Sequence, residues 1–450
     1  MNTVVMIKTL FVGGVAALMV ASSVSVPLGV SETEGPASSY IVQADSLSDA
    51  RAAVLAADGE ITHELSIIRA VGARISQRQL ARLRAAPGLR IHADAELKTA
   101  GGPVPDAEHV KLIGADQLHA QGIDGQGVTV AVLDTGMWYS HNNIKRDLYE
   151  NNKIVAEYDA QEDEEGHAKD KHGHGTHLTS IIASSQISDH GNVHGIAPNV
   201  NLVNIKAFGV DGSGSYADVI RGLDWLVANK DNYNIRVVNL SFSATPQSHY
   251  WDDPINQAVM ATWQAGIVVV ASAGNGGPDP MTIGVPGNVP YVITVGAMSD
   301  NYTPGNASDD VLASFSAAGP TVEGFVKPEV VAPGGHMLGI MDDGNHQIAD
   351  DHPEWVQENA RLYVMSGTSQ SAAVVTGAAA LLLQAKPWLT PDEVKCQLMS
   401  SARPAVDTDG RLAYSVFQQG AGMINAFRAV QGGQYDCANR GLDIDLDLAG

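Results

Sequence analysis

The chain is poor in cysteine, in basic residues and in long apolar runs, and each scarcity excludes a class of protein. Two Cys in 450 residues exclude a small disulfide-stapled fold and a four-cysteine zinc site. The 27 Lys and Arg stand against 50 Asp and Glu, so the formal net charge is −23. Nucleic acid and anionic lipid attract basic patches, and we therefore expect neither as a partner. Beyond residue 30, no stretch is long and apolar enough to span a bilayer.

What the chain has in quantity is apolar and acidic residues. The hydrophobic fraction is 44% and the charged fraction 17%, which is typical of a folded chain with a large core. The charge is uneven. Residues 32–100 carry nine acidic and eight basic residues, whereas residues 101–450 carry 41 acidic and 18 basic residues. This step predicts a domain boundary near residue 100.

The N-terminus has the pattern of an export signal. Lys8 is followed by an apolar run at residues 10–20 and then by the small residues 21–23. We expect residues 1–29 to be removed and the protein to be secreted, with the periplasm or the cell surface left open. The alternative is a membrane anchor, and this segment is the one place where membrane contact is expected. Export permits a disulfide between Cys396 and Cys437, and two free buried thiols are the equal alternative.

Residues 32–100 are predicted to form a small α+β domain. Two of its segments begin with serine and continue with helical spacing, and strand-like segments surround them. The strand-like segments are 40–44 and 88–97, the helical segments are 46–57 and 76–86, and residues 61–73 mix β-branched and small residues.

Residues 101–432 alternate apolar strands with helices on a larger scale. The alternation predicts an α/β fold with a mostly parallel central sheet and helices on both of its faces. Ligands of such sheets bind at the carboxyl ends of the strands. The predicted strands are 127–133, 201–207, 236–240, 267–271 and 291–296, and the predicted helices are 216–229, 254–264 and 371–383.

The last segment, residues 433–450, is predicted to be a short acidic tail. Apolar and acidic residues alternate through residues 442–448. Alternation is typical of an edge strand. Two alternative interpretations of this segment stay open, a disordered tail and the start of a further region.

Polar residues at three predicted element ends could together perform catalysis. Asp134 ends the first long strand, His174 precedes an apolar helix-like stretch, and Ser369 precedes the Ala-rich helix. A serine hydroxyl is a weak nucleophile that needs a base, and the base needs a carboxylate to orient it. Asp, His and Ser in this order form one of the known arrangements of that triad. Taken singly, Asp134 could cap a turn and Ser369 a helix.

Several segments, taken in order, resemble the signature blocks of the subtilisin-like serine peptidases, the subtilase superfamily of peptidase family S8. They are VAVLDTG at 130–136, HGTH at 174–177, ASAGNGG at 271–277 and SGTSQSA at 366–372, within a match of about 310 residues. The resemblance implies a secreted serine endopeptidase with an acyl-enzyme intermediate. It assigns Asp134 as the orienting carboxylate, His174 as the base, Ser369 as the nucleophile and Asn275 as an oxyanion-hole donor.

The neighbours of the base and the nucleophile need separate interpretation. The family pattern selects the first His of HGTH, which leaves His177 as a packing residue and His172 as a surface residue near the site. A zinc site of the three histidines lacks a further ligand at helical spacing. The residues after the nucleophile, 370–373, depart from the usual Met-Ala-x-Pro, but Ala favours helix and we expect the turn to hold. Gln370 adds a polar side chain beside Ser369.

The resemblance also implies a substrate cleft with an apolar or aromatic preference at P1. The strand that would pair with an extended peptide carries Ser241, Phe242 and Ser243, and backbone pairing demands little of its sequence. Ala273 and Gly274 match the opposite wall, and Gly284 matches the pocket floor. No acidic residue lies in these segments. Protein and peptide substrates are the implied partners of a chain expected to be a monomer.

The resemblance gives residues 32–100 a role as the family's inhibitory propeptide, a folding aid that blocks the cleft until it is cut between residues 97 and 106. A permanent structural domain is the alternative. No cofactor is expected for catalysis. Structural calcium is left open, since the acidic stretch 159–170 and the loop 184–193 supply oxygen ligands, although a solvated acidic loop is the favoured interpretation of the former.

Two other functions compete with the peptidase. A catalytically silent relative that binds peptides or a partner protein would be expected to have lost one of the four catalytic positions, and all four are present. A nucleotide-binding α/β enzyme would need a G-x-G-x-x-G turn after the first strand. That turn here contains one glycine, Gly136, beside the acidic Asp134.

Overall fold

The computed structural model divides the chain into two compact units, with the division between residues 98 and 99. The predicted export signal and most of the predicted cleavage region lie outside the residues that the structure describes. Within the described residues, no helix combines the length and apolarity needed to cross a membrane. The described residues are 37–94, 104–303, 309–341, 346–357 and 361–449.

The first unit is a four-stranded antiparallel sheet with two helices, in the order β2-β3-β1-β4. The two helices, and the first and last strands along the chain, overlap the segments that the sequence predicts for them. The mixed segment 61–73 forms two strands that pair with each other around a short 3-10 helix, Ser66–Ile68, because Arg69 turns the chain with a positive φ of 54°. The elements are β1 Ser38–Gln43, α1 Leu47–Ala56, β2 Glu60–Leu65, β3 Ala70–Ile75, α2 Gln77–Arg84 and β4 Arg90–Ala93.

The second unit is built on a nine-stranded sheet whose seven long strands run parallel, as the sequence predicts. Its order is β12-β11-β10-β9-β5-β8-β6-β7, and β13 also pairs with β11. Two short strands, β7 and β12, are antiparallel, and β14 and β15 form a separate antiparallel pair. The strands are β5 Thr129–Asp134, β6 Ile154–Asp159, β7 Glu164–Glu165, β8 Asn201–Lys206, β9 Ile235–Leu240, β10 Val268–Ser272, β11 Ile293–Ser299, β12 Val311–Leu312, β13 Val330–Pro333, β14 Met337–Ile340 and β15 Leu362–Met365.

Helices cover this sheet in two pairs, one of α7 with α8 and one of α6 with α10. A 3-10 helix, Pro353–Trp355, accompanies them. The helices are α3 Glu108–Leu112, α4 Ala115–His119, α5 Asn142–Lys145, α6 His174–Ala183, α7 Tyr216–Tyr233, α8 Pro254–Gln264, α9 Gln347–Asp351, α10 Thr368–Ala385, α11 Pro391–Ser401, α12 Val416–Gln419, α13 Ala426–Gln431 and α14 Ile444–Ala449.

Local chemistry explains where the central elements begin and why they are buried. All six residues of β5 are buried, as expected of a strand covered on both faces. Helix α8 begins at Pro254. The preceding residue, Asp253, caps the helix, because its carboxylate accepts hydrogen bonds from two first-turn N–H groups. Helix α10 starts at Thr368 and runs unbroken through Gln370, so the first turn holds without the usual proline, as predicted.

The carboxyl ends of neighbouring parallel strands meet at one edge of the sheet. Strand β5 pairs with β9, and β9 pairs with β10, so the ends of the three strands lie side by side. Asp134 is the last residue of β5, Ser241 follows β9, and Asn275 follows β10 by three residues. The topology therefore brings together three segments that lie far apart in the sequence.

The acidic C-terminal segment is helical at its end, and the edge-strand interpretation of residues 442–448 is wrong. Alternation places Ile444 and Leu448 four residues apart, which is also the spacing of one helix face. Both side chains pack against the core of the second unit, whereas Leu446 is 68% exposed. The structure also has the disulfide between Cys396 and Cys437, which ties this segment to α11.

Candidate active site

The candidate site begins with a buried carboxylate at the end of β5. Asp134 is 2% exposed, and its Oδ1 lies 2.7 Å from Nδ1 of His174. It also accepts the backbone N–H of Thr135 at 2.8 Å. Because Asp134 accepts a hydrogen bond from Nδ1–H of His174, the Nε2 atom of the ring is left to face a substrate or a nucleophile, which is the arrangement that a general base requires.

A second buried carboxylate, Asp170, anchors the start of helix α6, where His174 is the first residue. It is 2% exposed and accepts hydrogen bonds from the backbone N–H groups of His172 and Gly173 and from both the N–H and the Oγ1 of Thr176. The Oγ1 of Thr135 also donates to it at 3.0 Å. Asp170 thereby joins the end of β5 to the helix that presents His174.

The electrostatic surroundings raise the pKa of His174 above its usual value. Burial alone lowers it, but the charge of Asp134, the hydrogen bond between the two side chains and the charge of Asp170 outweigh burial. These interactions favour the imidazolium form, which a base adopts once it has taken a proton.

The nucleophile candidate, Ser369, lies in the first turn of α10 and is 9% exposed. Its Oγ donates to the backbone oxygen of Ser241 at 3.0 Å, and no hydrogen bond joins it to His174 among the described residues. Catalytic hydrogen bonds are often long or unmade before substrate binds. A rotation of the Ser369 side chain would exchange one acceptor for the other.

Two hydrogen-bond donors lie close to the Ser369 hydroxyl, namely the side-chain amide of Asn275 and the backbone N–H of Ser369 itself. The Oδ1 of Asn275 accepts from the N–H and the Oγ1 of Thr368, at 3.0 and 2.9 Å, and these two bonds orient the Asn275 amide. The Nδ2 group has no hydrogen-bond partner among the described residues. The N–H of Ser369 belongs to the first helical turn, whose N–H groups lack intrahelical acceptors and lie at the positive end of the dipole.

These side chains border one cleft of about 540 Å³. Asp134 is the single carboxylate among the described residues that line it, and His174 engages it. Part of the lining is apolar, and in it the rings of Phe208 and Phe242 lie with their centroids 5.1 Å apart. The predicted site residues on the lining are Asp134, His174, Ser241, Phe242, Ser243, Gly274, Asn275 and Ser369, and the large apolar side chains, which we call the apolar end, are Phe208, Tyr216, Val219, Phe242 and Ile255.

Two of the predicted substrate-binding residues do not line the cleft. Ala273 is fully buried behind the wall, in a small apolar cluster with Ile283 and Ala317. Gly284 is also buried, and a Cβ atom there would collide with Oγ of Ser243 and the backbone oxygen of Ala244. Both residues therefore support the wall, and Gly284 allows the close approach of the Ser243 side chain.

The other two histidines of the cluster occupy different surroundings. His177 is fully buried, its Nε2 lies 3.2 Å from the backbone oxygen of Tyr363, and it is a packing residue as predicted. His172, expected at the surface, lines the cleft with a half-buried ring whose centroid is 6.3 Å from that of His174. Burial and then repulsion from His174 lower the pKa of His172.

Sequence reasoning missed Asp170 and the cleft wall at residues 212–216. Asp170 lies four residues before the predicted base, at a position from which a carboxylate can accept the N–H groups of a helix start, so this spacing was a usable signal. Residues 212–216 are small or aromatic, and only the fold brings them opposite Phe242.

The stretches considered for calcium carry carboxylates that protein donors already engage. Asp159 accepts Nζ of Lys206 at 2.8 Å, and Asp163 accepts the hydroxyl of Tyr158 at 2.6 Å. In the other stretch, Asp189 accepts the backbone N–H of Val104. Within the described residues, no group of three or more His, Cys, Asp or Glu side chains is arranged to hold a metal ion.

Comparison with known proteins places this arrangement in context. The family model described as the subtilase family, Peptidase_S8, matches residues 125–422. The serine protease AprX of Bacillus subtilis (strain 168) is 36% identical over 348 residues, which cover 76% of this chain and 74% of AprX. Subtilisin DY of Bacillus licheniformis is 32% identical over 324 residues, which cover 72% of this chain and 97% of that protein.

Among solved structures, fervidolysin from Fervidobacterium pennivorans, described as a keratinolytic enzyme related to subtilisin, has a TM-score of 0.58. The alignment covers 91% of this chain at 22% sequence identity, and this chain spans 63% of the length of fervidolysin. At that identity the likeness concerns the fold alone.

Proposed function

Because the chain belongs to the subtilase family and is a serine endopeptidase, we propose that it hydrolyses peptide bonds with Ser369 as nucleophile, His174 as base and Asp134 as orienting carboxylate. The observation that carries the proposal is the 2.7 Å contact between Asp134 and His174, at the edge of a cleft that Ser369 also lines. Two carboxylates hold the base, and a helix start holds the nucleophile.

The steps follow from these positions. Nε2 of His174 takes the proton of Ser369 as Oγ attacks the substrate carbonyl carbon, and the carbonyl oxygen becomes an oxyanion. Nδ2 of Asn275 and the N–H of Ser369 donate hydrogen bonds to that oxygen. The imidazolium, paired with Asp134, then gives its proton to the leaving amine. Water, activated by the same imidazole, cleaves the acyl-enzyme ester.

The test of this proposal is reaction with a fluorophosphonate, which labels only a serine that its neighbours activate. We expect rapid labelling, mapped by mass spectrometry to the peptide that contains Ser369. Labelling should be absent from Ser369→Ala and retained in Ser371→Ala. Binding of peptides without labelling or hydrolysis, in protein whose first hundred residues have been removed, would instead favour the catalytically silent relative.

Replacing Asn275 with alanine should lower kcat by on the order of 10²- to 10³-fold with a small change in KM, because the donor acts mainly on the oxyanion of the transition state. Steady-state kinetics with a peptide p-nitroanilide measure both constants. Asn288→Ala is a control that removes a buried amide elsewhere in the same unit, whose Oδ1 accepts from Asn256. A loss in Asn275→Ala confined to KM would contradict the oxyanion role.

We expect apolar or aromatic residues at P1. The walls of the cleft include Ser241, Phe242, Ser243 and Gly274, and Asp134, the one carboxylate among the described residues of the lining, is paired with His174. A Lys or Arg side chain would therefore meet no countercharge at the wall. In a panel of p-nitroanilides, Phe and Leu substrates should exceed the Arg substrate by at least about tenfold in kcat/KM. An Arg substrate that is the best of the panel would overturn this preference.

We extend the proposal to export and activation. Residues 1–29 would direct secretion, and residues 32–100 would act as an intramolecular inhibitor and folding aid. Support comes from the first unit, which has its own apolar core around Val42, Val54 and Val71. A unit with its own core can fold as an independent module. N-terminal sequencing of the mature protein tests both parts, with a new terminus expected between residues 97 and 106. A mature chain that still begins near residue 30 would favour a permanent domain.

A further inference from the structure

The C-terminal segment, residues 433–449, is attached to the second unit at several separate points. The disulfide of Cys437 fixes its beginning to α11. In its middle, Oδ1 of Asn439 accepts Nζ of Lys395 at 2.9 Å, and Nδ2 donates to the backbone oxygen of Tyr291. At its end, α14 packs along α8. These attachments indicate that the acidic C-terminal segment has a structural role.

The last attachment is the carboxylate of Asp447, which accepts hydrogen bonds from the hydroxyls of two buried tyrosines. Oδ2 of Asp447 accepts the hydroxyl of Tyr250 at 2.7 Å and that of Tyr291 at 2.6 Å. The two tyrosines are 4% and 3% exposed. A buried hydroxyl without a partner is costly, and a hydrogen bond to a charged group is stronger than one between neutral groups. Asp447 therefore fixes where both rings lie.

Tyr250 belongs to the loop between β9 and α8, which begins as one wall of the cleft. Ala244, on the cleft lining, pairs with Val285 through two backbone hydrogen bonds. On the far side of the loop, the Glu323 carboxylate accepts the N–H of Tyr250 at 3.2 Å. The Tyr250 ring packs edge-on against Trp251 and Phe325. The position of Tyr250 thus determines the course of this loop.

The loop ends where α8 begins, and that end contacts the opposite side of the cleft. Oδ2 of Asp253 accepts the hydroxyl of Tyr216 at 3.1 Å, and Ile255 lines the cleft itself. Tyr250 precedes Asp253 by three residues. Displacement of Tyr250 would therefore change the spacing between Phe242, Ile255 and Tyr216, which form the apolar end.

We propose that residues 433–449 are a positioning clasp, defined by Asp447 and its two tyrosine partners, that holds the apolar end of the cleft at the width an extended peptide requires. Asp447 is a positioning residue and does not touch the reacting atoms. The proposed role of the clasp in substrate binding rests on the proposed peptidase function. Its effect on the structure can be measured whether or not the protein is an active peptidase.

Kinetics of a long and a short substrate test the clasp. In Asp447→Ala, KM for succinyl-Phe-Ala-Ala-Phe-p-nitroanilide, which reaches about 13 Å along the cleft, should rise roughly 3- to 10-fold with kcat nearly unchanged. The methyl ester of acetyl-Phe, which ends near Ser369, should change less than about twofold. Tyr250→Phe should give a smaller shift of the same kind. The matched control is Asp445→Ala, which removes the same charge from α14 but only an exposed bond to Gln264.

Hydrogen–deuterium exchange separates the clasp from the peptidase proposal, because it needs no activity. Peptides within residues 241–255 should exchange faster in Asp447→Ala than in the wild-type chain or in Asp445→Ala. A wild-type chain that neither labels with fluorophosphonate nor hydrolyses peptides would overturn the proposed function, and the exchange result would still decide the clasp. Lower thermal stability in Asp447→Ala with unchanged KM and unchanged exchange at 241–255 would reduce the segment to a stabilising one and overturn the proposal.

Discussion

Replacing Ser369 with alanine should lower kcat by on the order of 10⁶-fold while KM changes little. The hydroxyl is the group that would form the acyl-enzyme, and the alanine side chain offers no nucleophilic atom in its place. The cleft, the donors and His174 stay in place, because within the described part of the chain the Oγ of Ser369 hydrogen-bonds only to the backbone of Ser241. Residual hydrolysis by water should persist, since the oxyanion donors still act.

The control for this variant lies two residues away on the same helix. Ser371 is fully buried, and its Oγ donates to the backbone oxygen of Ala332, on β13 and away from the cleft. Ser371→Ala should lose stability through that hydrogen bond, by about 1 kcal/mol, and should keep kcat within a few fold. Activity that persists in Ser369→Ala and disappears in Ser371→Ala would transfer the nucleophile role and overturn the assignment.

Replacing His174 with alanine should reduce kcat by a similar factor, on the order of 10⁵- to 10⁶-fold. In the proposed mechanism base and nucleophile act as a unit, so the double variant with Ser369→Ala should be scarcely worse than either single variant. His172→Ala offers a matched comparison, because both rings lie in the same cleft with their centroids 6.3 Å apart. That variant leaves the hydrogen bond between Asp134 and His174 in place and should cost at most about tenfold, chiefly in KM.

The pH dependence gives the His174 assignment a second measurement. A base works in its neutral form, and Asp134 and Asp170 raise the pKa of His174 above its ordinary 6.5. The rate constant kcat/KM should therefore fall as the pH is lowered through a midpoint above 6.5. A midpoint well below 6.5 in the wild-type chain would identify another group as the base, with His172, whose pKa is lowered, as the first candidate.

Sequence reasoning reached the fold through periodicity, and it was most accurate where burial on both faces leaves little freedom. The strand at 201–207 and the helix at 254–264 are present within one residue of the predicted bounds. It failed where one pattern suits two structures, as in residues 442–448, where Ile444 and Leu448 fit both an alternating strand and one face of a helix, and only the fold shows that Leu446 is exposed. It also could not decide whether Cys396 and Cys437 pair, since 41 residues separate them and only the fold fixes the distance.

The sequence by itself determined the candidate catalytic groups of this protein, namely a carboxylate, an imidazole, a hydroxyl and an amide at or near the ends of predicted elements. Their types and order are written along the chain and need no coordinates. The tertiary structure alone decided how they are held: the anchoring of α6 by Asp170, the placing of Ala273 and Gly284 behind the wall, and the docking of Asp447 on two tyrosines. Those features depend on contacts between residues far apart in the sequence, and local periodicity carries no information about such distances.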